Sequence, residues 1–231
     1  MALEPVRNKR KLKGLLSSII EFVTLAGLMI LVPAVVAADI FLIGYGTSEQ
    51  SLTQISQALL LLLTMWLFAR EAVRQPAARG MLVLGAGFFG CMLIRECDGY
   101  LDAIAHGFWQ YPAIALALMA ILYARRCRGT VMAPMSAYMT SRPYPYLLIG
   151  LVVVLVFSRI FGTGHLWKAV MQVSYDNEYK SMIQEALELL GYVLIAYGAC
   201  RAFLGRAKPV LAPVSTSGRA HAESMMAGLP E

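Results

Sequence analysis

Met81-Leu-Val-Leu-Gly-Ala-Gly-Phe-Phe-Gly-Cys-Met-Leu-Ile94 leads without a break into Arg95-Glu96-Cys97-Asp98-Gly99-Tyr100-Leu101-Asp102-Ala103-Ile104-Ala105-His106. The first part is apolar or small throughout. The second places four charges and a histidine within one short helix-like segment. A charge carried into hydrocarbon costs several kcal/mol unless it is paired, so such residues mark a site by default. An apolar run that ends in charge therefore reads as a membrane helix with a polar site at one end.

The rest of the chain agrees. Of 231 residues, 58% are hydrophobic and 15% charged, against roughly half and a quarter in a soluble domain. The net charge of +6 does not point to nucleic acid, because the basic residues flank apolar runs, which is how membrane proteins set their orientation. Cys91, Cys97, Cys127 and Cys200 form no CxxC and no metal-type spacing, so no disulfide framework is expected. The fold class is all-α, a polytopic membrane protein.

A transmembrane helix needs roughly 20 apolar residues, and six stretches meet or approach that length. The first is Leu15 to Tyr45, with a kink expected at Pro33, which removes one backbone hydrogen bond. A signal peptide is rejected here, because the stretch is too long for one, carries Glu21 and continues past Asp39. The others are Gln54 to Val73, Gly80 to Tyr100 with a helical extension to His106, Gln110 to Ala124, Tyr144 to Phe161 and Met182 to Leu204. The chain thus divides into a basic N-terminus (1–13), a six-span domain (14–205) and a flexible tail (206–231) rich in Ala, Pro, Ser and Gly. Gly164 to Lys180 is the only substantial loop on its side, and its mixed pattern suits a helix lying in the interface.

With six spans, sixteen of the twenty lysines and arginines fall on one face and four, Arg95, Arg159, Lys168 and Lys180, on the other. That bias puts both termini in the cytoplasm of a cell whose plasma (inner) membrane holds the protein. The acids Asp39, Glu96, Asp98, Asp102, Glu185 and Glu188 then share one depth near the outer surface, with three nearby bases, Arg95, Arg159 and Lys180. Asp98, Asp102 and His106 are spaced by four and would line one face of a continuous helix, as would Glu185, Glu188 and Tyr192. The walls of the resulting cavity are expected from spans one, three, five and six. Pairing of Arg95 and Arg159 with Glu96, Glu185 or Glu188 would simply tie helices together. The excess of acids is what such ties leave unexplained, because unpaired carboxylates repel one another unless a cation or protons are held there.

That excess supports two functional readings. In one, Asp98, Asp102, His106 and Glu188 ligate a divalent metal, zinc or manganese, which activates a water. Asp98, Asp102, His106, Glu185 and Glu188 then form the catalytic group, while Arg95, Arg159, Lys180 and Trp167 hold a lipid or lipid-linked headgroup for hydrolysis. In the other, the same carboxylates bind an ion or relay protons in a transporter or channel subunit, with Glu21 as an inner station. A non-catalytic subunit of a membrane complex is the third possibility. The partners are the bilayer itself and, beyond it, an oligomeric or membrane partner.

Ser158-Arg159-x5-His165 resembles a fragment of the third motif of the lipid phosphatases related to type 2 phosphatidic acid phosphatases, which are six-span proteins with an outward-facing site. The resemblance covers about eight residues. Ala169 stands where that family has an aspartate, and neither Lys-x6-Arg-Pro nor Pro-Ser-Gly-His occurs. No catalytic role is carried over from it.

Overall fold

A computed structural model describes residues 4–43, 51–172, 175 and 177–205, with the side chains of 4–11, 13, 42 and 43 left out. The tail expected to be flexible lies outside the described residues. All regular structure among them is helical.

Helix α1 spans Glu4–Ala38 and continues as a π-helical turn, Asp39–Ile43. Its first residues are the basic segment, which extends the membrane helix, and Pro33 sits inside it without ending it. Helix α2 spans Leu52–Arg74, opened by the Ser51 hydroxyl, which accepts from the Gln54 amide. Such a cap satisfies one of the donors left over in a first helical turn. A 3-10 turn, Pro76–Ala78, leads into α3, Arg79–Glu96.

Here the structure departs from the expected extension to His106. Helix α3 stops at Glu96, Cys97 leaves the helical path, and only a five-residue α4, Asp98–Asp102, comes after it. Gly107 at φ +80° then turns the chain, a conformation glycine adopts without steric cost. The Asp102 carboxylate accepts the Gly107 amide at 3.0 Å. Asp102 is thus spent on a local turn, a common use of short acidic side chains.

Helix α5 spans Gln110–Arg126. Helix α6, Met132–Met139, is an element not expected from the sequence. Its Tyr138 is buried and stacks on Phe203, edge-on to Phe68 and Tyr144. Helix α7, Tyr144–Val152, passes through a π-helical turn, Val153–Phe157, into α8, Ser158–Phe161. Helix α9, Gly164–Met171, occupies part of the expected interfacial segment, and α10 spans Asn177–Phe203.

Five of these helical stretches are long and apolar enough to cross a membrane: 14–41, 52–74, 76–96, 144–161 and 177–203. Helix α5 has 17 residues, about 26 Å at 1.5 Å per residue. The bundle is a fan in which α5 packs on α3, α3 on α2, α2 on α10 and α10 on α7, with α1 laid against α10 and α2. The main core joins Leu61, Leu67 and Phe68 of α2 to Leu82 and Phe89 of α3 and Tyr192 and Ile195 of α10.

The α7–α10 contact brings backbones together. A Cβ on Gly150 would lie 2.6 Å from the Gly191 carbonyl oxygen, and one on Gly191 would lie 2.8 Å from that of Gly150. Small residues at helix crossings in lipid allow this approach, and dispersion between the backbones replaces a hydrophobic drive that lipid does not supply.

Candidate functional site

The helices run in alternating directions, so the two ends of the bundle have different chemistry. One end gathers the close of α3 and the starts of α2 and α10. There Gln54, Gln57, Arg95, Glu96, Asp98, Ser181, Gln184, Glu185 and Glu188 line a polar cavity of about 170 Å³. Its walls are α2, α3 and α10, with Asp98 of α4 at the rim. In place of the expected walls, spans one, three, five and six, the lining comes from α2, α3 and α10, because α2 sits between α3 and α10.

Glu188 is buried and the most heavily bonded acid of the cavity lining. Its Oε1 lies 3.2 Å from an Arg159 Nη, and accepts from the Ser158 hydroxyl at 3.3 Å and the Gln184 amide at 3.2 Å. The π-helical turn before Ser158 places Ser158 and Arg159 towards α10. An i→i+5 turn adds a residue to the helix and rotates the residues after it by about 100° around the axis. Glu96 accepts from the Tyr192 hydroxyl at 2.9 Å and lies 3.6 Å from Arg95. The ties expected of Arg95 and Arg159 therefore form, to Glu96 and Glu188. Glu185 and Asp98 line the same cavity and have no ion-pair partner among the described residues.

Gln57 was not singled out from the sequence. It is fully buried, and its Nε2 donates to the Glu185 carbonyl at 2.9 Å. That bond fixes which way the amide points. Its Oε1 accepts no hydrogen bond from the described residues. A buried acceptor left without a donor costs about 1–3 kcal/mol, so this oxygen calls for a cation or a donor. The signal was legible: Gln54 and Gln57 are three residues apart at the head of an apolar run, and residues three apart share a helix face.

Other predicted site residues lie elsewhere. Asp39 accepts the Leu52 and Thr53 amides at 2.7 and 2.8 Å and the Thr53 hydroxyl, capping α2 from outside. Asp102 lies 3.5 Å from His106, whose side chain is fully exposed. Lys180 is half-buried and is not part of the cavity lining. The Trp167 indole donates to the Phe161 carbonyl at 2.6 Å, fastening α9 to the end of α8. Ser158 is completely buried, donating also to the Val154 carbonyl, and His165 is exposed.

The expected metal set Asp98, Asp102, His106 and Glu188 is not brought together in this arrangement. Among the described residues no three His, Cys, Asp or Glu side chains converge so as to hold a metal ion. The break after Glu96 ends the helical register that would have carried Asp102 and His106 alongside Asp98. Cys97 sits at that break, and burial, with the Glu96 and Asp98 charges beside it, pushes its thiol pKa up.

A second polar node lies at the opposite end. Glu21 of α1 accepts from the Tyr146 hydroxyl at 2.6 Å and lies 3.5 Å from Arg201. It joins α1 to α7 and α10. Between the nodes α10 presents buried Leu189, Val193, Ile195 and Ala196. Compared with protein-family models, with curated proteins and with solved structures, the chain matches none.

Proposed function

We propose that the chain is a six-span protein of the plasma (inner) membrane, both termini cytoplasmic, that binds a small monovalent cation in the cavity between α2, α3 and α10 in the course of transport. Five spans are long and apolar enough by themselves. Helix α5 makes the sixth, its shortfall of a few ångströms met by local thinning and by Arg125 and Arg126 reaching outwards from its end. The orientation follows from the concentration of lysine and arginine on the face opposite the cavity.

The observation that carries the reading is the unsatisfied Oε1 of Gln57, a lining residue of a cavity that also has four carboxylates, two of them without an ion-pair partner among the described residues. Carboxylates and an amide oxygen are hard donors suited to an alkali cation, ammonium or hydronium. The cavity has room for a handful of water-sized groups, which favours an ion over a lipid headgroup. Among the described residues the metal-ligand set expected for hydrolysis is not assembled, and the Ser158 hydroxyl is enclosed.

The test has two parts. Thermal unfolding of purified protein is followed in sodium, potassium, ammonium or choline chloride at one ionic strength, and at several pH values. One small cation should raise the melting temperature with a saturating dependence, as a ligand of the native state does. Gln57→Leu and Glu188→Gln should remove the increment. Reconstituted vesicles should then show flux driven by a gradient of that ion. Identical melting in every salt and at every pH would end the reading.

A further inference from the structure

Away from the carboxylates two apolar crevices open among the described residues. The one between α1, α2 and α10, of about 370 Å³, has no charged residue in its lining. The other lies between α2, α3 and α5 and measures about 710 Å³. Its deeper part is made by Met65, Val83, Leu116 and Met119, while Arg79 and Tyr123 stand at one end. That end is the arginine-rich one. Arg79 opens α3, and its Nε donates to the Ala72 carbonyl at 3.1 Å, which holds the guanidinium at the mouth. From Arg79 to Gly87 the crevice runs along α3 for about 12 Å.

More arginines belong to the same end of the helices that line the crevice. Arg70 and Arg74 stand in the last turns of α2, and Arg125, Arg126 and Arg128 come after the lining residue Tyr123. A tertiary bond holds the start of α3 to the turn after α5, since the Gly80 amide donates to the Thr130 hydroxyl at 2.8 Å and that hydroxyl donates to the Cys127 carbonyl at 2.8 Å. Glu71 lies 3.8 Å from both Arg70 and Arg74. Among the described residues Arg79, Arg125, Arg126 and Arg128 have no carboxylate partner.

We infer that this crevice is a binding site for one anionic phospholipid, its phosphate on Arg79 and the arginines of α5 and its acyl chain along Met65, Val83, Leu116 and Met119. Charge selects the headgroup and the apolar wall selects a chain. Basic pockets between membrane helices select acidic lipids in this way, and each arginine near the surface is worth about a five-fold preference. The inference is independent of the cation site, which lies at the other end of α3.

Purified protein is equilibrated with phosphatidylglycerol and phosphatidylcholine of identical chains, and retained lipid is counted by native mass spectrometry. The wild type should retain one phosphatidylglycerol in preference to phosphatidylcholine by about ten-fold or more, given two or more arginines on the phosphate. Arg125→Gln with Arg126→Gln, both on exposed side chains, should bring the preference to a few-fold at most. Met119→Trp, an exposed position on the crevice wall, should remove the retained lipid and leave attraction to phosphatidylglycerol vesicles unchanged. Equal retention of the two lipids would overturn the inference. So would arginine sensitivity combined with indifference to Met119→Trp, the pattern of surface attraction without a site.

Discussion

The two polar nodes of this bundle use the same residue types to different ends. At one end Glu21 meets Tyr146 and Arg201, so one acid has one base and one hydroxyl. At the other, Glu96 and Glu188 have their own arginines, and Glu185, Asp98 and the unsatisfied oxygen of Gln57 remain. The first arrangement is complete as a fastening. The second leaves two carboxylates and an amide oxygen unmatched among the described residues, which is the ground for proposing a positive guest. Pairing stoichiometry, rather than the presence of charge in a membrane helix, separates a tie from a site.

The change expected to do most damage removes both nodes together. Helix α7 carries Tyr146 near its start and leads to Arg159, and its contact with α10 depends on Gly150 against Gly191. Gly150→Leu should force the helices apart, at a cost of about 3 kcal/mol or more. Its melting temperature in detergent should fall at least as far as that of any single polar variant. A near-normal melting temperature would mean the glycine contact does not govern the packing.

Next in size is Glu188→Ala. It strips Arg159 and Gln184 of their acceptor, while the Ser158 hydroxyl keeps the Val154 carbonyl, and breaking a buried pair from one side costs about 3–5 kcal/mol. The half-exposed Arg159 can turn to water, so the lower part of that range is expected. Glu188→Gln keeps an acceptor and should cost less in stability, while still removing the cation-dependent increment.

Glu21→Gln should cost about 1 kcal/mol or less, the usual worth of a polar contact between membrane helices. It should leave every cation effect intact. If it abolished cation-dependent melting, the contrast between tie and site would collapse.

The smallest effect is at Cys97. Its raised pKa moves the rise of alkylation rate with pH above that of a free cysteine. Below that pH the neutral thiol dominates and reaction is slow. A cation beside Glu96 and Asp98 offsets their charge and should shift the profile down in pH, though burial, the larger cause, will remain. Iodoacetamide rates from pH 7 to 10, with and without the stabilising cation, measure this.

Much of this was readable from the chain. Hydropathy marked the segments that became the five long apolar helices and α5, because burial in lipid demands runs of apolar residues whatever their neighbours. The gathering of Glu96, Asp98, Glu185 and Glu188 at one end was also legible, since alternating helices of similar length put those positions at one depth. The departures have local causes. Asp102 and His106 left the group because Cys97 breaks the helix and the Gly107 turn takes the Asp102 carboxylate. Asp39 was drawn off to the first amides of α2. Helix α6 escaped notice because eight residues with a proline carry little periodic signal, and its Tyr138 gains its place only among Phe68, Tyr144 and Phe203.

Sequence by itself determined depth, since hydrocarbon sorts residues along the membrane normal by solvation cost, one segment at a time. Tertiary structure alone decided azimuth. Which helices stand side by side, and so which acid finds an arginine and which remains unmatched, depends on Gly150 meeting Gly191, on a π-helical turn that swings Arg159 to Glu188, and on Gln57 being enclosed between α2 and α10. Those are contacts between distant segments, and no single segment contains them.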